Sequence, residues 1–127
     1  MSDSHRRPCC DDPTIVGSER LWRRIHPRQL ETEGGVVRPS SEAFRDSTDE
    51  MSVHLASLTS VPHVVQNHPH FGVAELTAEF VRSLGLCVMH DPLIEDASHA
   101  LVCPCATKGG ANQLARAAVL VLTPPRD

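Results

Sequence analysis

The apolar residues of this chain come in short runs, and none is longer than the six from Ala117 to Leu122. A helix that crosses a bilayer needs about 20 apolar residues in succession, so a helical membrane span is excluded. The pattern points to short strands and helices around a single core. At 127 residues the chain fits one domain, because two would each be marginal. Val, Leu and Ala carry most of the hydrophobic fraction, and Trp22, Phe44, Phe71 and Phe80 are the aromatics, so the core is aliphatic and modest in size. The expected fold class is α+β: a small mixed sheet with two or three helices over residues 19–122, a disordered N-terminal tail at 1–18 and a short C-terminal tail at 123–127.

Residues 1–18 combine Ser, Asp, Arg, Pro and Gly with one apolar pair, Ile15-Val16, too little to offset the entropy of ordering them. Residues 20–26 read as a first strand, ended by Pro27. Gly34-Gly35 makes a turn and Val36-Val37-Arg38 an edge strand or loop before Pro39. Ser47-Thr48-Asp49-Glu50 has capping-box spacing. Beyond it Met51, Leu55 and Leu58 keep a helical period while Met51, Val53 and Leu55 alternate like a strand, so both types stay open there. Two prolines and a glycine make residues 59–72 largely irregular. Val73, Leu76, Phe80, Val81 and Leu84 form an apolar stripe opposite Glu75, Glu79 and Arg82, which predicts a helix through Leu84 capped by Gly85, although its first turn also fits a strand. Residues 86–89 and 99–103 read as paired buried strands, residues 111–118 as a helix and residues 119–122 as a last strand.

A formal net charge of -4 argues against a nucleic-acid binder, which needs a basic field. The N-terminus lacks the apolar segment of a secretory signal, so the expected location is cytoplasmic. Five cysteines, an odd number and unevenly spaced, argue against a disulfide scaffold.

Leu21-Trp22-Arg23-Arg24-Ile25-His26-Pro27, Arg38-Pro39-Ser40-Ser41-Glu42-Ala43-Phe44-Arg45-Asp46, Met51-Ser52-Val53-His54-Leu55, His90-Asp91-Pro92 and His99-Ala100-Leu101-Val102 together resemble a group of small uncharacterised bacterial proteins. The resemblance covers most of residues 20–122. It implies a bacterial source and brings no fold or activity with it.

The densest polar constellation is Arg23, Arg24, His26, Arg38, Ser40, Ser41 and Arg45. Guanidinium forks bind phosphate or carboxylate bidentately, so Arg23, Arg24, Arg38, Ser40 and Ser41 are candidates for holding a small anionic ligand. The plainer alternative lays these arginines over the core, pairs them with Glu31, Glu33, Glu42 and Asp46, and gives Ser40 and Ser41 turn or N-cap roles. Arg38-Pro39-Ser40-Ser41 is also similar to the anion-binding openings of ADP-ribosyltransferase-type folds. Those folds need a catalytic Glu, and here Glu75 and Glu79 fall on a solvent-facing helix stripe.

No motif calls for a cofactor, and zinc is the metal the composition allows. His99, Cys103 and Cys105 would share one side of a strand, but Cys103 and Cys105 are one residue apart where structural zinc sites use two to four; His68 and His70 form an exposed pair. His54 and His99 are the candidate catalytic residues, as general acids or bases near neutral pH, with His90 a third imidazole and Asp91 or Ser98 available to orient one of them. The absence of a Gly-x-Ser-x-Gly elbow and of a Gly-rich phosphate loop argues against hydrolase chemistry.

These observations lead first to a small soluble binding or accessory protein, whose partner is another protein or a small anionic ligand. The alternative is an enzyme acting on a nucleotide or other phosphorylated substrate, with Arg23, Arg24 and Arg38 holding the anion and His54 or His99 moving a proton. A zinc or redox site is the third reading. Convergence decides between the first two: the arginines and imidazoles line one hollow if the chain is an enzyme, and scatter over convex surface if it is not.

Overall fold

A computed structural model describes residues 9–45, 50–104 and 108–125, and it is an α+β fold. Six strands form one sheet in the order β6-β7-β4-β1-β5-β8: β1 Arg20–Ile25, β4 Met51–Leu55, β5 Gly72–Thr77, β6 Cys87–His90, β7 His99–Cys103 and β8 Val119–Leu122. Every pairing in it is antiparallel. Strands β2 (Leu30–Glu33) and β3 (Val36–Pro39) make a separate hairpin, turned by Gly34 and Gly35, both at positive φ, a backbone region open to glycine at no steric cost. The helices are α1 (Val61–Val64), α2 (Ala78–Ser83) and α3 (Lys108–Ala117), with single 3-10 turns at Pro27–Gln29, Ser41–Phe44 and Ala56–Leu58.

Alternation along the strands divides the side chains between two faces. Leu21, Ile25, Met51, Val53, Leu55, Ala74, Leu76, Ala100 and Val102 face the main core, where Ala43 and Phe44 of the third 3-10 segment's predecessor, Ser41–Phe44, meet Val81 of α2 and Ala111 and Leu114 of α3. The other face is split. Trp22 and Val73 pack with Val64 of α1 and Ala56 in a small apolar cluster, while Arg24, Ser52, His54 and His99 leave the neighbouring strip polar.

Several local expectations need correction. The apolar stripe from Val73 is helical only from Ala78: residues 72–77 are β5, and Thr77 accepts a hydrogen bond from the Phe80 amide to start α2. β5 is buried on both faces, with Val73 under α1 and Ala74 and Leu76 in the main core, so its apolar residues lack strict alternation and imitate a helical spacing. Glu75 is therefore a strand residue and not part of a solvent-facing helix stripe; its carboxylate accepts from Trp22 Nε1 at 2.9 Å and lies 3.6 Å from Arg20. Met51–Leu55 is a strand, and residues 47–49 of the capping-box motif lie outside the described residues. Residues 59–72 contain α1, whose N-cap Ser60 accepts from the His63 amide. Lys108, Gly109 and Gly110, expected as a separator, form the first turn of α3.

Of the tail expected at 1–18, residues 1–8 lie outside the described residues and residues 9–18 are tied to the fold. Asp11 accepts from the Val88 amide and from Arg82, each at 2.9 Å, the Asp12 amide donates to the Val88 carbonyl, and Ile15 joins the core. Cys9 is disulfide-bonded to Cys103, contrary to the expectation drawn from the cysteine count; Cys10 and Cys87 are free. At the other end Pro124 is buried against Gly72, where a Cβ would come within 2.5 Å of Pro124 Cδ and 2.7 Å of its backbone nitrogen. Any larger residue at 72 would push β5 away from the end of β8. Among the described residues no helix is long and apolar enough to cross a membrane.

Candidate functional site

The polar strip is made by three adjacent strands. On β1 Trp22 and Arg24 share a face, on β4 Ser52 and His54 share a face, and the registers set Trp22 opposite His54 and His54 opposite His99. Two adjoining hollows open over it, of about 680 Å³ and 290 Å³, and Arg24, Ser52 and His54 line both. The larger adds Arg23, His26, Arg28 and Glu42. Three guanidinium groups against one carboxylate give its wall a formal charge of +2, although the whole chain is acidic. The smaller adds His63, His68, Glu95, Asp96 and His99.

Residues 91–98 bring carboxylates to both sheet imidazoles. A tight turn holds this loop, with Leu93 and Asp96 exchanging backbone hydrogen bonds. Asp96 Oδ2 lies 2.9 Å from Nδ1 of His54, and Asp96 Oδ1 accepts from the Ser98 amide at 3.0 Å and the Ser98 hydroxyl at 2.5 Å. Asp91 Oδ2 lies 3.1 Å from Nδ1 of His99, whose Nε2 is 3.2 Å from Ser52 Oγ. The two rings stand edge-on with centroids 6.3 Å apart. A carboxylate at Nδ1 fixes the proton on that nitrogen and leaves the lone pair on Nε2. For His99 that lone pair meets the Ser52 hydroxyl.

Burial dominates the titration of His54 and pushes it below the ordinary 6.5, against the opposing pull of Asp96. The ring is neutral at neutral pH. Burial acts to raise Asp96, but the Ser98 hydroxyl and amide together with His54 outweigh it and hold the carboxyl below its ordinary value. The Arg24 guanidinium, desolvated by the same walls, is pushed down with Asp96 working against the shift; guanidinium remains charged regardless. It donates to the Val64 carbonyl at the end of α1, at 3.3 Å. Arg23 donates to the Ala43 carbonyl and to the Ser52 carbonyl of the neighbouring strand β4.

The fold thus gathers Arg23, Arg24, His26 and His54 from the sequence candidates into one hollow, with His99 in the next. It does not bring Arg38, Ser40 or Ser41 there. Arg38 sits on the β2–β3 hairpin, bonded to Glu31 at 3.0 Å and Glu33 at 2.9 Å, because cross-strand register places Glu31 opposite it. The Ser40 hydroxyl is buried without a hydrogen-bond partner, and Ser41 opens a 3-10 turn. Neither serine lines the cleft. The metal set fails on chemistry: the Cys103 sulfur is bonded to Cys9 and Cys105 lies outside the described residues, within which no three His, Cys, Asp or Glu side chains are grouped to hold an ion. His90 instead contacts the Ala97 carbonyl at 2.8 Å, and His70 faces a different hollow from His68.

Sequence reasoning missed Arg28, Ser52 and Asp96. Ser52 carried a signal, being two residues from His54 in an alternating segment and so on the same face of any strand formed there. Asp96 carried none, because its role depends on the path of a loop. No protein-family model, curated protein or solved structure matches this chain.

Proposed function

We propose that the cleft is the active site of an enzyme acting on a small phosphorylated substrate, a nucleotide being one member of that class. Arg24, with Arg23 and Arg28, holds the anion, and His54 moves a proton through Nε2. The observation that carries this reading is the meeting of cationic groups and a neutral, carboxylate-oriented imidazole in one concave space. Guanidinium groups bind phosphate oxygens in paired geometry, and an unprotonated imidazole is the side chain suited to accept a proton near neutral pH. Arg38 has no part in the proposal. Nor does the compartment: a cytoplasmic setting fits poorly with the Cys9–Cys103 bridge, since disulfides are rare in reducing cytosol.

Thermal shift with inorganic phosphate and a nucleotide panel tests the reading. A ligand that binds the native state stabilises it by RT ln(1 + [L]/Kd), about 2.7 kcal/mol at 100 Kd. At least one phosphate-bearing compound should raise the melting temperature of the wild type, and Arg24→Gln should weaken its binding about 10-fold or more, a charge-assisted hydrogen bond contributing roughly 1.5–3 kcal/mol. Stabilisation without turnover would leave a binding protein. Absence of stabilisation across the panel would remove the phosphorylated-substrate reading altogether.

A further inference from the structure

Ser52 presents its hydroxyl to the lone pair of an imidazole in the cleft. It is exposed, it stands on an interior strand, and its oxygen is 3.2 Å from Nε2 of His99. Behind the ring, Nδ1 is held by Asp91 through both the carboxylate at 3.1 Å and the backbone carbonyl at 3.0 Å. A nucleophile within hydrogen-bond reach of a base, itself oriented by a third group, is the arrangement that activates serine, and it is recognised by geometry and not by a motif. The other serine in the cluster contrasts with it. Ser98 is 1% exposed, gives its hydroxyl proton to Asp96, and has its oxygen 3.3 Å from Nδ1 of His54, the nitrogen that carries the proton, so it meets no imidazole lone pair and has no access to a ligand.

We propose that Ser52 is the nucleophile of phosphoryl transfer in this cleft, with His99 as its general base and Asp91 as the positioning residue for His99. The inference rests on the phosphorylated-substrate reading above and names the reaction at that site. Ser52 Oγ attacks phosphorus of a phosphate ester as its proton passes to His99 Nε2; the Oγ–P bond forms, the P–O bond to the leaving alcohol breaks, and the departing oxygen takes the proton from His99. Water then attacks the phosphoserine, giving a proton to Nε2 of His54, which lines the same hollows as Ser52; the P–Oγ bond breaks, phosphate leaves, and the proton on His54 returns to Ser52 Oγ. Arg24, which lines both hollows beside Ser52, is the group placed to neutralise the phosphoryl oxygens, where electrostatic stabilisation counts most. Phosphorus suits this site better than an acyl carbon. The positive groups that line the cleft are guanidiniums, which match phosphoryl oxygens in paired geometry.

The test treats the full chain with a biotinylated fluorophosphonate, maps the adduct by peptide mass spectrometry, and follows 4-nitrophenyl phosphate hydrolysis in parallel. A phosphonyl adduct on the Ser52 peptide and release of 4-nitrophenol are expected. Ser52→Ala should abolish both, and His99→Gln should slow labelling by about 10²-fold or more, the usual range for a general base. Asp91→Asn should slow it too and should also remove the downfield Nδ1 proton signal of His99 from the proton NMR spectrum, which a merely structural role would leave in place. Melting temperatures establish that each variant is folded. An unmodified Ser52, or equal labelling of wild type and His99→Gln, overturns the inference. Phosphate binding with an unreactive Ser52 overturns it alone and leaves the broader reading standing, whereas the absence of phosphate binding removes both.

Discussion

Phe44→Ala should lower the unfolding free energy by about 3–5 kcal/mol, the range for truncating a buried phenylalanine. Phe44 is fully buried and heads the large core side chains, although it belongs to a short 3-10 segment and not to a strand or long helix. It joins the main core with Leu114 of α3 and Met51 and Val53 of the sheet, so its ring fills the space between two layers. Removing it leaves a cavity that those layers can close only in part. Urea unfolding of the two proteins measures the effect as a lower midpoint at similar slope. Phe44→Leu, which keeps much of the volume, should cost clearly less. A loss below 1 kcal/mol for the alanine variant would show that the Ser41–Phe44 segment can leave the core without consequence.

Asp96→Asn should reduce turnover by about 10²- to 10⁴-fold, the contribution typical of a general base, while leaving the protein folded. The reason is in the direction of three hydrogen bonds. Asp96 Oδ1 accepts from the Ser98 amide and hydroxyl, and Oδ2 faces the Nδ1 proton of His54. An asparagine that keeps its oxygen toward Ser98 presents an NH₂ group to His54. Two donors cannot face each other, so the imidazole proton moves to Nε2 and the lone pair needed in the cleft is lost, the tautomer failure known from serine-protease triads. Activity that survives in Asp96→Asn would mean that His54 does not act as the base.

The same pair predicts an acid limb in stability. Burial holds the folded-state pKa of His54 below its ordinary 6.5, so between these values the unfolded chain binds a proton that the folded chain does not, and stability falls with acidification at up to about 1.4 kcal/mol per pH unit. The contribution is complete above pH 6.5 and declines below it. Asp96, also depressed, adds stability that is present above its ordinary 3.8 and disappears as pH falls through the folded value. Urea midpoints of the wild type should therefore decrease from pH 6.5 downward, and His54→Gln should flatten the upper part of that decline. Parallel curves for the two proteins would contradict the assignment.

Much of the fold is legible in the residues themselves. The β6 and β7 runs, the β8 run and the alanine-rich α3 show in local apolar pattern because each has the composition of its element. Val73–Leu76 misleads because a central strand buried on both faces loses its alternation. The N-terminal segment misleads for another reason: Asp11 and Asp12 are ordered by Val88 and Arg82, residues about seventy positions away, and no local composition announces such contacts. The site divides in the same way. Its imidazoles and guanidiniums can be chosen by side-chain chemistry, but the pairing of β4 with β7 across some forty-five residues selects His54 and His99 over the other histidines. The exclusion of Arg38 likewise follows from hairpin register, which sets Glu31 in front of it.

In the cleft the bases and their partners have different mechanical supports. Both imidazoles ride on β4 and β7, inside a six-stranded ladder, where backbone opening is most costly. Both carboxylates, Asp91 and Asp96, come from the single stretch between β6 and β7. A displacement of that one stretch would strip both rings of their anchors together, so the two proton-handling groups are wired as a common circuit, armed or disarmed as a unit by the seating of eight residues.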